Sequence, residues 1–199
     1  MVQLFTSVNV NNDGLVSILK SGGIGVLPTD TVYGLVARAS DPAAIKKLYD
    51  AKKRISQPGT LIASSIDDLA KLGLDTSQLS LVARFWPGQV SVVVNAAGVA
   101  AYLKQMRRSL AVRIPDNSAL LQLLVQTGPL MTTSANAPGE PTATTIAEAK
   151  AYFGDKIDFY VDGDTTIGDR PSTIIGFDEN SRITVFRRGV VDIDKLLAK

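Results

Sequence analysis

The sequence predicts an α/β fold built on a mixed β-sheet. Short apolar and β-branched runs alternate with amphipathic helical segments along the 199 residues, and the last pair of runs reads as a β-hairpin. Interleaved helices favour parallel pairing and a hairpin adds antiparallel pairing, so the sheet is mixed. No repeat, low-complexity tract or long Pro/Ser linker marks a boundary, and 45% hydrophobic residues can fill a sizeable core. One domain over residues 1–199, with its core at about 8–190, is expected.

Gly22–Thr29 (GGIGVLPT) reads as a buried strand whose end carries hydroxyl-bearing residues. The helix after it has Asp41 to cap it, Pro42 in its first turn and an apolar stripe of Ile45, Leu48 and Tyr49. Thr60–Ser65 (TLIASS) is the next strand, and Ser65 with Asp68 makes a capping box for the helix that follows. Pro87-Gly88 ends a further helix containing Phe85 and Trp86. Val90–Ala96 (VSVVVNA) is a strand buried on both faces, and Ser109–Pro115 (SLAVRIP) is another, with Arg113 embedded in it. That arginine needs an anionic partner. A helix capped by Ser118 and stopped at Gly128, the strand PLMTTSAN, and a helix boxed by Thr145 and Glu148 come next. Ile157–Gly163 is a strand, and the hairpin from Ser172 turns at Asp178-Glu179-Asn180.

Composition excludes more than it suggests. Cysteine and histidine are both absent, which removes disulfides, Cys/His zinc sites, thiol nucleophiles and every Ser-His or Cys-His arrangement. The start lacks a basic segment followed by an apolar one, and no apolar run can span a bilayer, so a cytoplasmic protein without membrane contact is expected. Twenty-one Lys+Arg against 19 Asp+Glu leave +2, too balanced to coat nucleic acid by charge alone. Lys104–Arg113 and Phe186–Gly189 are locally basic; each is either a solvated face or a contact for RNA.

In open α/β sheets ligands sit beyond the carboxyl ends of strands. PTDTVYG (28–34), RIPDN (113–117), TTSAN (132–136) and RPST (170–173) all fall at such places. Each alone is ordinary turn and cap chemistry; together they point to a site. Neither G-x-G-x-x-G nor G-x-x-x-x-G-K-[ST] is present, so side chains would have to hold any phosphate. Lys52, Lys53 and Arg54 could do so, or could simply complement the helix dipole.

Six segments, VLPTDTVYGL, AKKR, SLAVRIPDN, MTTSANAPGEP, RPSTII and VFRRG, stand in the order and approximate spacing of the YrdC/Sua5 family, which the chain resembles from about Gly22 to Gly189. The resemblance implies an open twisted mixed sheet with flanking helices and a concave, partly basic active-site cavity, in the short single-domain form. It implies L-threonylcarbamoyladenylate synthesis: L-threonine, bicarbonate and ATP give L-threonylcarbamoyl-AMP and pyrophosphate. Other proteins then transfer the threonylcarbamoyl group to adenosine 37 of tRNAs reading ANN codons. ATP is a substrate that brings Mg²⁺, without a protein-bound metal. Lys52 and Arg54 are the implied catalytic pair and meet ATP. Thr31, Arg113, Ser134 and Ser172 are the implied L-threonine contacts. Ser109, Asn136, Thr144 and Arg187 complete the implied ATP site.

Two other readings stay open. One is a module binding double-stranded RNA or tRNA through Arg107, Arg108, Arg187 and Arg188 without chemistry; weak tRNA binding is also compatible with the enzyme. The other is a same-fold enzyme that carbamoylates or adenylates a different acceptor, suggested by the unusual RISQPGTL after Lys53. Ser134 is expected to bind rather than to attack, because the chain has no histidine to activate it and TTSAN lacks a G-x-S-x-G elbow.

Overall fold

A computed structural model describes the chain except residues 1, 7–12, 54–56, 164–167, 169, 181 and 198–199. Its strands are β1 (Gln3–Thr6), β2 (Gly25–Pro28), β3 (Tyr33–Arg38), β4 (Thr60–Ile62), β5 (Val90–Asn95), β6 (Ser109–Arg113), β7 (Leu130–Ser134), β8 (Phe159–Asp162), β9 (Thr173–Phe177) and β10 (Ile183–Arg187). They form one mixed sheet in the order β1-β8-β2-β3-β7-β4-β6-β5-β9-β10. The helices are α1 (Asp13–Lys20), α2 (Pro42–Ala51), α3 (Ile66–Lys71), α4 (Thr76–Val82), α5 (Ala101–Lys104), α6 (Ser118–Thr127), α7 (Ile146–Phe153) and α8 (Ile193–Leu197). No described helix is long and apolar enough to cross a membrane.

The side-chain alternation of the strands sorts the core onto two faces. Leu27, Val36, Ile62, Leu130, Phe159 and Val161 lie on one face, under Leu15, Val16 and Leu19 of α1 and Leu120, Leu123 and Leu124 of α6. Val26, Leu35, Leu61, Met131 and Tyr160, their neighbours along the strands, belong to the larger cluster on the other face, with α2, α4 and α7. The smaller cluster has no member from β5, β6, β9 or β10, so α1 and α6 cover half of their face and leave the rest for a site.

Several sequence expectations need correction. The segment after Pro28 does not run from a strand into a helix: it turns at Thr29–Val32 and returns as β3, paired antiparallel to β2 with Leu27 opposite Gly34. Glycine at 34 and the short loop hid that hairpin from a reading based on β-branched runs. The helix before Pro87 ends at Val82, followed by a 3-10 turn over Ala83–Phe85, and Trp86 is already extended. Asn117, not Ser118, caps α6, its side chain accepting from Leu120 N. Thr145 caps α7 as expected, accepting from Glu148 N, and the Glu148 carboxylate turns back to the Thr145 backbone and also accepts from Thr144 N at 2.7 Å. The capping by Asp41 and Ser65 and the final hairpin stand as read.

Backbone approach is tight where β4 begins. A Cβ on Gly59 would stand 2.3 Å from the Thr132 carbonyl oxygen and 3.1 Å from Met131 Sδ. Overpacking of this kind costs about 1–3 kcal/mol. Gly59→Ala should lose about that much stability in chemical denaturation, and wild-type stability would show that β4 and β7 do not need this contact.

Candidate functional site

The cavity is built on the turn between β2 and β3. Thr29 organises it: its hydroxyl donates to Val32 O at 2.6 Å and accepts from Thr31 N and Val32 N, both at 3.2 Å. This is the side-chain-to-backbone bonding that makes threonine a turn residue. Thr31 is thereby held buried on the cavity wall, its Oγ1 3.2 Å from that of Thr29.

Asp30, between them, goes under the cavity. Its Oδ1 lies 2.9 Å from Arg113 Nη1, with side-chain exposures of 2% for the aspartate and 3% for the arginine. Asp30 Oδ2 also accepts from Asp116 N at 3.0 Å, and Gln89 Nε2 donates to the Asp30 carbonyl. Burial raises the Asp30 carboxyl above its usual range, against the opposing pull of Arg113 and the Asp116 amide. Burial likewise lowers Arg113, against the pull of Asp30. Although the two charges touch, the pairing angle is not that of a hydrogen bond. Arg113 Nε and Nη1 and Asp30 Oδ1 have no hydrogen-bond partner among the described residues. A guanidinium has five donors and no means of shedding its charge, so one that is buried and partly unpaired is suited to an incoming anion.

Register explains the cavity floor. Thr60 stands opposite both Thr132 and Ala111, and Gly34 opposite Ser134. These residues and Arg113 therefore project from the face whose other half α1 and α6 cover. Pro58, Gly59, Pro171, Ser172, Ile174 and Arg187 close a cavity of about 170 Å³. Ser172 Oγ lies 2.9 Å from buried Ser91 Oγ, and Arg187 donates to the Ser172 carbonyl through Nε at 3.1 Å and Nη2 at 2.8 Å. The hairpin thus carries the Arg187 guanidinium to the rim.

Lys52, immediately after α2, is 6% exposed. Its Nζ donates to Ser134 O at 2.9 Å, Asn136 O at 2.6 Å and Asn136 Oδ1 at 2.7 Å. Ser134 Oγ donates to the same Oδ1 at 2.7 Å, and Asn136 Nδ2 to Glu140 O at 2.7 Å. Lysine, serine and asparagine thus form one network, in which Lys52 fixes the loop after β7.

Of the expected site residues, Thr31, Arg113, Ser134, Ser172 and Arg187 meet at the cavity, and Lys52 and Asn136 join it through Ser134. Ser109 is exposed on the same strand face, four residues along β6 from Arg113, and is not part of the cavity wall. Thr144 stands apart from the wall too, its N and Oγ1 both donating to Glu148. Arg54 lies outside the described residues. Asp30 and Ser91 were not among the expected residues, and Thr132 and Thr133, within the TTSAN segment, had no role assigned to them. The need of Arg113 for an anion, with an aspartate between two threonines, was a usable signal for Asp30; Ser91, polar within VSVVVN, was another.

An α/β sheet face with a buried cation on its floor and hydroxyls around it has the chemistry to hold a small, polar, anion-bearing ligand. The Sua5/YciO/YrdC profile, described as telomere recombination, matches residues 17–189. A threonylcarbamoyl-AMP synthase of Chromohalobacter salexigens is 37% identical over 164 residues, 80% of this chain and 88% of that protein. The crystal structure of P. abyssi Sua5 complexed with L-threonine superposes with a TM-score of 0.84 at 25% identity, covering 100% of this chain and 60% of that one. The chain therefore spans three fifths of that Sua5. E. coli YciO superposes with a TM-score of 0.82 at 25% identity, covering 97% of this chain and 98% of that one. This chain belongs to the Sua5/YciO/YrdC family.

Removing one member of a buried pair strands the other charge, at a cost of about 3–5 kcal/mol, whereas apolar replacement of both is often tolerated. Asp30→Asn should lose stability on that scale. The double variant Asp30→Leu/Arg113→Met should lose less than Asp30→Asn in the same denaturation series, and equal losses would show that the charges are not coupled.

Proposed function

We propose that this protein is an L-threonylcarbamoyladenylate synthase, forming L-threonylcarbamoyl-AMP and pyrophosphate from L-threonine, bicarbonate and ATP. The observation that supports it best is the buried Arg113 guanidinium, with Nε and Nη1 lacking hydrogen-bond partners among the described residues, on the floor of a hydroxyl-lined cavity. An amino acid presents a carboxylate to such a fork and a hydroxyl to such walls. Membership of the family, and the name of the C. salexigens relative, support the same reaction.

In this reading the threonine ammonium first gives up a proton, and the neutral amine then attacks bicarbonate, releasing water and leaving a carbamate. A carbamate oxygen then attacks the ATP α-phosphorus, and pyrophosphate departs. No covalent intermediate on the protein is required, which suits a chain without cysteine or histidine. Thr31, Arg113, Ser134 and Ser172 orient threonine. Lys52 keeps the Ser134–Asn136 loop in place for the nucleotide, and Arg187 offers charge from the rim. Arg54, Ser109 and Thr144 belong to the ATP side of the proposal. Among the described residues no three His, Cys, Asp or Glu side chains gather as a metal site. Magnesium arrives with ATP, and the product passes to proteins that modify tRNA adenosine 37.

Pyrophosphate release should require L-threonine and bicarbonate together, with threonylcarbamoyl-AMP detected by mass spectrometry. Equal release without threonine would overturn the assignment and favour a different acceptor.

A further inference from the structure

The cavity encloses about 170 Å³, well below the roughly 300–1,000 Å³ of sites that enclose a drug-sized ligand. Resting on the reading above, the enclosed part suits the amino acid, and the nucleotide must extend over the open half of the same sheet face. That half is formed by β6, β5, β9 and β10, where the cluster under α1 and α6 does not reach.

Phe186 stands there. It is 61% exposed, the most exposed aromatic residue among those described. The β10 ladder is bulged at this point: Val185 pairs with Ile175 and Arg187 with Ile174, leaving Phe186 as the extra residue. Arg187 and Ile174 line the cavity, and Gly176, two residues beyond Ile174, faces the same way. A Cβ on Gly176 would meet Phe186 Cε2 at 2.5 Å, with Cδ2 and Cζ both at 3.4 Å. The ring therefore stands on its Cε2 vertex over the glycine instead of lying flat, and most of the side chain stays exposed. The Phe177 ring, 38% exposed, belongs to the other face.

We infer that Phe186 is the stacking platform for the purine of the nucleotide, with the adjacent Arg187 directing the phosphates toward the cavity. Aromatic faces stack on bases without needing a hydrogen-bond code, and alanine substitution of such rings weakens binding by about fivefold to more than a hundredfold. Gly176 serves as its seat: a methyl group there would push the ring away without straining the backbone.

The test is calorimetric binding of ATP and of inorganic tripolyphosphate, which lacks the purine, to wild type, Phe186→Ala, Phe186→Leu and Gly176→Ala. Both Phe186 variants should bind ATP about tenfold or more weakly. Gly176→Ala should weaken ATP as well, and the three variants should bind tripolyphosphate within twofold of wild type. Phe186→Leu keeps the packing on Gly176 but has no π-face, so thermal melting like that of wild type would separate lost stacking from lost folding. Unchanged ATP affinity in both Phe186 variants, while wild type still releases pyrophosphate with threonine, would overturn this inference and leave the synthase reading intact. Failure of wild type to bind ATP at all would overturn both.

Discussion

The buried pair of Asp30 and Arg113 is the constraint on which the site depends. It ties the β2–β3 turn to the end of β6, two elements that are not adjacent in the sheet. Burial makes both charges expensive, and their 2.9 Å contact without hydrogen-bond alignment compensates only in part. Such an arrangement is a poor way to stabilise a fold. It makes sense as a way to keep a guanidinium dry, charged and short of partners until a ligand supplies them. The turn that carries Asp30 also carries Thr29 and Thr31, so the residue that positions the cation and the hydroxyls beside it move as one unit.

The second half of the site is held differently. Lys52 donates to two carbonyls and one carboxamide, binding the end of α2 to the loop after β7. Just before that loop, the last residue of β7, Ser134, faces the cavity from the strand beside the β2–β3 hairpin. The result is a Lys52–Ser134–Asn136 network whose donors and acceptors are largely committed before any ligand enters, which is the preorganisation that positioning chemistry requires. At the far side the β9–β10 hairpin contributes Ser172 and Arg187, and its bulge sets two successive residues, Phe186 and Arg187, toward the open face.

Much of this was legible in the sequence, for physical reasons. Asp41, Ser65 and Thr145 announced helix starts because a side-chain oxygen before an apolar stripe has few other uses. Arg113 inside an apolar strand announced its own need for an anion. What stayed hidden was pairing across distance. The β2–β3 hairpin escaped because its turn residues read equally well as a loop before a helix, and with it escaped the role of Asp30. The upright ring of Phe186 depends on a bulge and on a glycine in the neighbouring strand, which no local pattern encodes.

We propose that the Arg113 guanidinium receives the carboxylate of the amino acid. Calorimetric titration of wild type with L-threonine and with L-threoninamide, which keeps the side chain and amine but lacks the negative charge, tests it most directly. Loss of a charge-assisted, two-point contact should weaken the amide by about tenfold or more. Equal affinities for the acid and the amide would contradict the claim.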